Sequence, residues 1–103
     1  MQVCKCGCGG RTVTGEFLRG HAARYYAKLR KGLNGDERYE RLYMAFEDDL
    51  CNRIDNLLNI TDLGTLLAEG RKLQEEVERY VRLGVLTPGS GENYLDMIVR
   101  RIN

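Results

Sequence analysis

Residues 4–21 read CKCGCGGRTVTGEFLRGH, a cysteine- and glycine-rich segment that precedes the predicted helices of the chain. Cys4, Cys6 and Cys8 occupy alternate positions among glycines. His21, the only histidine of the chain, follows Cys8 by thirteen residues. Three thiolates and one imidazole are a donor set typical of a tetrahedral structural zinc site. The sequence therefore predicts that these four side chains bind one Zn²⁺ ion.

The sequence leaves open one alternative ligand and one alternative to zinc. Successive residues of an extended strand point to opposite sides, so turns at Gly7, Gly9 and Gly10 must redirect Cys6 toward the other ligands. Cys51 lies in a predicted helix and could replace one of the three cysteines if that helix passes close by; otherwise we expect a half-buried core thiol. An iron–sulfur cluster is the alternative to zinc, but the single histidine and this spacing favour zinc.

Length and composition indicate a small globular protein in a reducing compartment. Of its 103 residues, 43% are hydrophobic and 30% are charged, which is a normal globular balance. A core of this size commonly needs a metal, a disulfide or a partner chain. We find no membrane-spanning run and no signal peptide, so we expect a soluble, cytoplasmic protein. Because cytoplasmic thiols stay reduced, we do not expect the cysteines to form disulfides.

Apolar residues at helical spacing predict helices through most of the chain after the cysteines. The first helix runs from His21 to about Lys31. The second is capped by Asn34 or Asp36 and ends at Asn59, with apolar residues at steps of three and four over five turns. Before them, we expect a short strand at residues 1–3 and a small ribbon or hairpin at residues 11–18.

The second half of the chain is predicted to add two more helices. The third begins at the N-cap Thr61 and ends at Gly84, and a short last helix is capped by Ser90. Gly70 falls on the apolar face of the third helix, where a small residue lets another helix approach closely. The second and third helices are expected to form an antiparallel hairpin. Its apolar faces must be covered by the last helix, by the zinc-binding segment or by a second copy of the chain.

The predicted fold class is therefore mainly α: an N-terminal zinc knuckle with a short β-ribbon, then a helical hairpin and a short C-terminal helix. We expect one compact domain, in which residues 1–33 form the basic zinc knuckle and first helix. Residues 34–103 form the hairpin and the last helix.

Positive charge is concentrated at the start of the chain. Residues 1–31 contain seven bases and one acid, a net charge of +6, whereas the remaining residues contain nine bases and fourteen acids, a net charge of −5. A basic segment of this kind suits a nucleic acid or an acidic partner surface. Alternatively, it docks on the acidic remainder of its own or a neighbouring chain. The predicted nucleic-acid contacts are Lys5, Arg11, Arg19, Arg24, Lys28, Arg30 and Lys31.

The pattern CxCGCG…F..GH resembles a small zinc-binding element of bacteriophage and actinobacterial proteins. That element includes the N-terminal part of some phage HNH-type homing endonucleases. The match comprises the three cysteines together with Phe17, Gly20 and His21, and it covers roughly a fifth of the chain. The resemblance implies a zinc knuckle that is structural or associated with DNA. Because no histidine follows His21, the paired-histidine centre of an HNH nuclease cannot be assembled here.

Other sequence features do not suggest a catalytic site. Asp48, Asp49 and Asp55 share the predicted second helix, but Asp48 and Asp55 lie on the face opposite its apolar residues, which is typical of solvated charge. The glycines near Cys8 lack the lysine and the helix of a phosphate-binding loop. We therefore expect that the protein is not an enzyme.

The leading functional hypothesis is a small phage-type zinc protein that binds DNA or RNA through its basic N-terminal segment. If the protein is phage-encoded, it would act in the host cytoplasm. The alternative hypothesis is a protein-interaction module, an inhibitor or adaptor of a host or phage protein that uses its helical surface. A homodimer formed through the second and third helices is compatible with either hypothesis. A ligand-binding helical oligomer is a third class.

Overall fold

The computed structural model describes residues 2–6, 8–13 and 15–102. Its regular elements within this part of the chain are β1 (Gln2–Val3), β2 (Arg11–Thr12), α1 (His21–Leu33), α2 (Glu40–Asp55), α3 (Leu63–Arg82) and α4 (Pro88–Ile102). Short 3₁₀ helices lie at both ends of α2, at Glu37–Tyr39 and Asn56–Asn59. The predicted mainly α fold class is confirmed. The chain forms two compact units, Met1–Leu42 and Tyr43–Asn103, which are described separately below.

The β-ribbon of the first unit encloses the cysteine segment. β1 pairs antiparallel with β2, with Val3 opposite Arg11, and the Cys4 N–H donates to the Gly10 carbonyl oxygen at 2.8 Å just inside this pair. The predicted strand at the N-terminus is confirmed for Gln2–Val3; Met1 lies outside the described residues. The prediction of a ribbon within residues 11–18 is wrong, because the partner of β2 is β1, which lies before the cysteine loop. Thr14, in that predicted ribbon, also lies outside the described residues.

Aromatic side chains form the small core that joins α1 to the segment before it. Tyr25 and Leu29 of α1 are buried. The Phe17 ring lies 5.3 Å from the Tyr25 ring and 6.1 Å from the Tyr26 ring, measured between centroids. α1 continues two residues beyond the predicted end, to Leu33. This core is small, and cores of this size commonly need a metal, a disulfide or a partner chain.

The second unit is a bundle of three helices in which α3 runs antiparallel to α2. Along α2, the Tyr43 hydroxyl donates to the Val85 carbonyl at 3.0 Å, and the Phe46 ring packs edge-on against Tyr80 at 5.0 Å. Further along, Arg53 forms an ion pair with Glu76. The core side chains are Phe46, Leu50, Ile54, Leu57, Leu73, Val77, Tyr80, Val85, Leu86, Tyr94 and Ile98.

The closest helix pair in the second unit is α3 with α4. Gly70 of α3 is buried, and a Cβ built on it would lie 2.5 Å from Ile102 Cδ1 of α4. At the other end of the pair, a Cβ on Gly91 of α4 would lie 2.5 Å from Val81 Cγ2 of α3. The predicted close approach at Gly70 is confirmed, and the helix that approaches is the last one. α4 therefore covers the apolar face that the sequence left without an assigned partner.

Three predicted helix ends are corrected by the structure. Asp62, not Thr61, caps α3, because its carboxylate accepts a hydrogen bond from the Thr65 N–H at 2.8 Å. The last helix starts at Pro88 rather than after Ser90, and the Ser90 N–H donates to the Thr87 hydroxyl. The last four residues predicted for the second helix form a 3₁₀ turn.

Three leucines near the start of α3 stay exposed. Leu58, Leu63 and Leu67 have 66%, 64% and 47% of their surfaces exposed, respectively. Leu63 and Leu67 lie one turn apart on the same helix and so share a face. Within the described chain, every helix is too short or too polar to cross a lipid bilayer.

Candidate metal centre

The structure brings Cys4, Cys6, Cys8 and His21 together. One ligand atom from each of these residues lies within 4.8 Å of the others, so the four can hold a metal ion. Cys6 Sγ is 3.4 Å from Cys4 Sγ and 3.2 Å from His21 Nδ1. Cys4 and Cys6 are buried, His21 is half-buried and Cys8 is exposed.

These separations fit one tetrahedral ion. Zn–S bonds of about 2.3 Å and a Zn–N bond of about 2.0 Å place ligand atoms roughly 3.5–3.8 Å apart around a tetrahedral centre. The Cys4–Cys6 and Cys6–His21 separations are slightly below this range, and no separation in the cluster exceeds 4.8 Å. The ligands of an iron–sulfur cluster are divided between two or more irons, and ligands on different irons stand further apart than 4.8 Å, so the spacing favours a single ion. Cys51 is not among the clustered residues; it lies half-buried on α2.

Glycines allow the backbone to turn tightly around the cluster. A Cβ on Gly10 would collide with Leu18 Cδ1 and lie 3.4 Å from Cys8 Sγ, so only glycine fits there without displacing a neighbour. Gly20 has a φ of 81°, in the left-handed region, and directly precedes His21 at the start of α1. That conformation is costly for any residue with a side chain. Gly7 lies outside the described residues.

Backbone N–H groups support two of the sulfur atoms. The Leu18 N–H donates to Cys4 Sγ at 3.2 Å, and the Gly10 N–H donates to Cys8 Sγ at 3.4 Å. Burial by itself raises the pKa of the Cys4 thiol, but hydrogen bonds from the Cys6 and Leu18 backbone outweigh it and lower that pKa. Such N–H donors stabilise the thiolate, which is the form that binds metal.

The pKa of the Cys6 thiol is shifted in the opposite direction from that of Cys4. Burial of Cys6, together with the neighbouring Cys4 and Cys8 thiols, raises the pKa of the Cys6 thiol. Three thiolates this close repel one another, so a cation at the centre is what makes the fully deprotonated cluster stable. The donor set therefore fits a divalent metal ion that prefers sulfur and nitrogen.

The basic residues predicted to contact nucleic acid fall into two groups. The side chains of Arg11, Arg19 and Arg24 are exposed, and no side-chain hydrogen bond or ion pair joins them to another described residue. Lys5 forms an ion pair with Glu16 at 3.8 Å.

The remaining three bases contact other parts of the first unit or are partly covered. Lys28 donates to the Cys6 carbonyl oxygen at 2.7 Å. Arg30 is half-buried, and Lys31 lies over the Tyr39 ring at 5.8 Å. Among the residues that the structure describes, three of the seven predicted bases therefore have exposed side chains without a hydrogen-bonding or ion-pair partner.

Sequence reasoning missed the roles of Leu18, Gly10 and Lys28 around the cluster. A signal was available for Lys28, because residues seven apart on a helix share a face and Lys28 follows His21 by seven. The backbone donors leave no such trace in the sequence. Comparison with protein-family models, curated proteins and solved structures found no match to this chain.

Proposed function

We propose that Cys4, Cys6, Cys8 and His21 bind one Zn²⁺ ion and that this ion is structural. The proposal is supported by the convergence of the four ligand atoms within 4.8 Å of one another. When bound, zinc would neutralise the thiolates and tie the cysteine loop to the start of α1. All four positions are filled by protein, as in closed structural sites, so the proposal assigns the ion no catalytic role. Because oxidised cysteines do not bind zinc, the protein would act in a reducing cytoplasm.

We further propose that the first unit binds nucleic acid and that the protein acts by binding rather than by catalysis. The nucleic-acid proposal is supported by the position of the three exposed arginines, Arg11, Arg19 and Arg24. Arg11 follows Cys8 by three residues. Arg19 precedes His21 by two residues, and Arg24 follows it by three. The chain therefore keeps each arginine within about 11 Å of a ligand. A zinc-organised surface with three guanidinium groups that have no partner among the described residues suits contact with phosphates.

The proposed contact is with the phosphate backbone rather than with stacked bases. Tyr25 is buried, and Tyr25, Tyr26 and Phe17 pack against one another. The rings that could stack on a base are therefore engaged in the protein core. Binding through arginine–phosphate contacts alone depends strongly on salt and weakly on base sequence.

The zinc proposal is tested by metal analysis of the purified protein. We expect about one zinc per chain, and Cys8→Ser should lose most of it because it removes one of four ligands. Cys51→Ser is the matched control and should keep its zinc. Absence of zinc from the wild-type chain, or its loss from Cys51→Ser alone, would show that the assigned ligands are wrong.

The nucleic-acid proposal is tested by titrating labelled duplex DNA and single-stranded RNA at several salt concentrations. Arg19→Glu combined with Arg24→Glu should weaken binding by at least tenfold and make it less sensitive to salt. Arg71→Glu combined with Lys72→Glu makes the same charge change in the second unit and should have little effect. Equal losses in both double variants would indicate a general charge effect and contradict a binding surface on the first unit.

The alternative function, protein interaction through the helical surface, is favoured by the three exposed leucines of the second unit. Replacing Leu63 and Leu67 by serine leaves the first unit untouched. If the protein binds a polypeptide rather than nucleic acid, this variant should lose its partner while Arg19→Glu with Arg24→Glu keeps it. Pull-down with the two variants side by side separates the two functions.

A further inference from the structure

We infer that Lys28 is a positioning residue of the metal centre, rather than a contact for nucleic acid. This inference rests on the proposed zinc site. The Lys28 ammonium donates to the Cys6 carbonyl oxygen at 2.7 Å, and the contact is partly buried. A lysine held at this distance inside the fold is not available to a phosphate on the surface.

Helix α1 holds Cys6 at two points. From its first residue, His21 places Nδ1 3.2 Å from the Cys6 sulfur. Two turns later, Lys28 reaches the carbonyl oxygen of the same residue. His21 and Lys28 lie on one face of a helix, which is a rigid element. The lysine therefore fixes the Cys6 backbone in the position at which its sulfur meets the imidazole.

Charge supports the same assignment. Three thiolates and a neutral imidazole around Zn²⁺ carry a net charge of about −1, from −3 and +2. Cys6 is only 2% exposed, so water does little to stabilise negative charge there. The Lys28 ammonium brings a positive charge to this buried side of the cluster. Groups of this kind around metal ligands typically change metal affinity by about 10- to 100-fold.

The test is a chelator competition that measures zinc affinity. Lys28→Met keeps the length of the side chain but removes its charge and its donor, and we expect it to lower zinc affinity by about 10- to 100-fold. Lys31→Met, one turn further on an exposed side chain, is the control and should leave the affinity unchanged. Lys28→Arg keeps a charged donor and should restore most of the affinity.

A spectroscopic readout separates positioning from general stability. With Co²⁺ in place of zinc, the visible d–d absorption bands report ligand geometry, and Lys28→Met should shift them even when the metal is saturating. Lys28→Met with wild-type affinity and bands would overturn the inference, as would equal losses in Lys31→Met or in Lys28→Arg. Lys28→Met that stays unfolded at saturating Zn²⁺ would also overturn it. Failure of the wild-type chain to bind zinc refutes the proposed site instead, which keeps the two outcomes distinct.

Discussion

At the scale of single residues, each cysteine of the candidate site has a neighbour that holds it: the Leu18 and Gly10 N–H groups donate to Cys4 Sγ and Cys8 Sγ, and Lys28 donates to the Cys6 carbonyl oxygen. The choice of Cys4, Cys6, Cys8 and His21 follows from which side chains bind soft metals. The role of Lys28 follows only in part: its spacing places it on the His21 face of the helix, but an exposed lysine and a lysine bonded to a carbonyl look alike in sequence. The turn at Gly10 is similar: the sequence suggests conformational freedom, whereas the structure shows a steric limit set by Leu18.

Gly10→Ala should weaken zinc binding. The new methyl group would displace the end of the Leu18 side chain and lie 3.4 Å from the ligand atom Cys8 Sγ, and repacking of Leu18 can disturb its backbone N–H, which donates to Cys4 Sγ. We expect a loss of zinc affinity of about tenfold or more, comparable to that for other changes around metal ligands. Chelator competition is the measurement. Gly89→Ala, where a Cβ meets nothing within 4 Å, is the control. Unchanged affinity in Gly10→Ala would show that the loop adapts without cost.

At the scale of elements, periodicity placed the helices well but could not choose between neighbouring caps. Thr61 and Asp62 are both good N-cap residues, and the sequence offers no way to decide which adopts the extended backbone. In the structure Asp62 does, and its carboxylate accepts hydrogen bonds from both the N–H and the hydroxyl of Thr65. Gly70 predicted a close approach to another helix, but the sequence did not identify that helix as α4, nor the second close contact at Gly91, where a Cβ would lie 2.5 Å from Val81 Cγ2.

Asp62→Ala should therefore lower the melting temperature of the second unit by a few degrees, while Thr61→Ala should not. The hydrogen bonds from Thr65 lower the pKa of Asp62. A carboxyl group with a lowered folded-state pKa stabilises the fold above its unfolded pKa of about 3.9, and this contribution is lost as the pH falls through the folded value. The difference between Asp62→Ala and the wild type should thus disappear in acid. Thermal melts at neutral and acidic pH measure this difference in melting temperature. A larger effect for Thr61→Ala than for Asp62→Ala would contradict the observed cap.

At the scale of the whole molecule, the two units are stabilised by different means. The first has a small aromatic core and a candidate metal cross-link, whereas the second has a contiguous apolar core shared by three helices. Segments of about 40 residues usually need a metal, a disulfide or a partner chain to fold. The sequence predicted one compact domain; this difference between the units appears only when the buried side chains are assigned to each.

Removal of zinc should unfold the first unit and leave the second folded. Chelation is expected to abolish the near-ultraviolet signal of the Phe17–Tyr25–Tyr26 cluster while most of the helical circular dichroism, which comes from α2, α3 and α4, persists. Conversely, Ile98→Ala creates a cavity at a fully buried position of the second unit and should cost about 2–5 kcal/mol there. That variant should still bind zinc. A single melting transition that moves equally with chelator and with Ile98→Ala would contradict independent stabilisation.

The order of the ligands along the chain has a consequence for synthesis on the ribosome. All four candidate ligands have been synthesised once His21 is added, before any residue of the second unit, and the 82 residues 22–103 follow. At typical translation rates these take roughly 4–16 s to add. Because the ligands are close in sequence, their site closes only a short loop, which forms far faster than this. Zinc can thus be captured while the chain is still being made, so metal supply during translation, rather than refolding of the finished protein, would decide how many molecules are loaded.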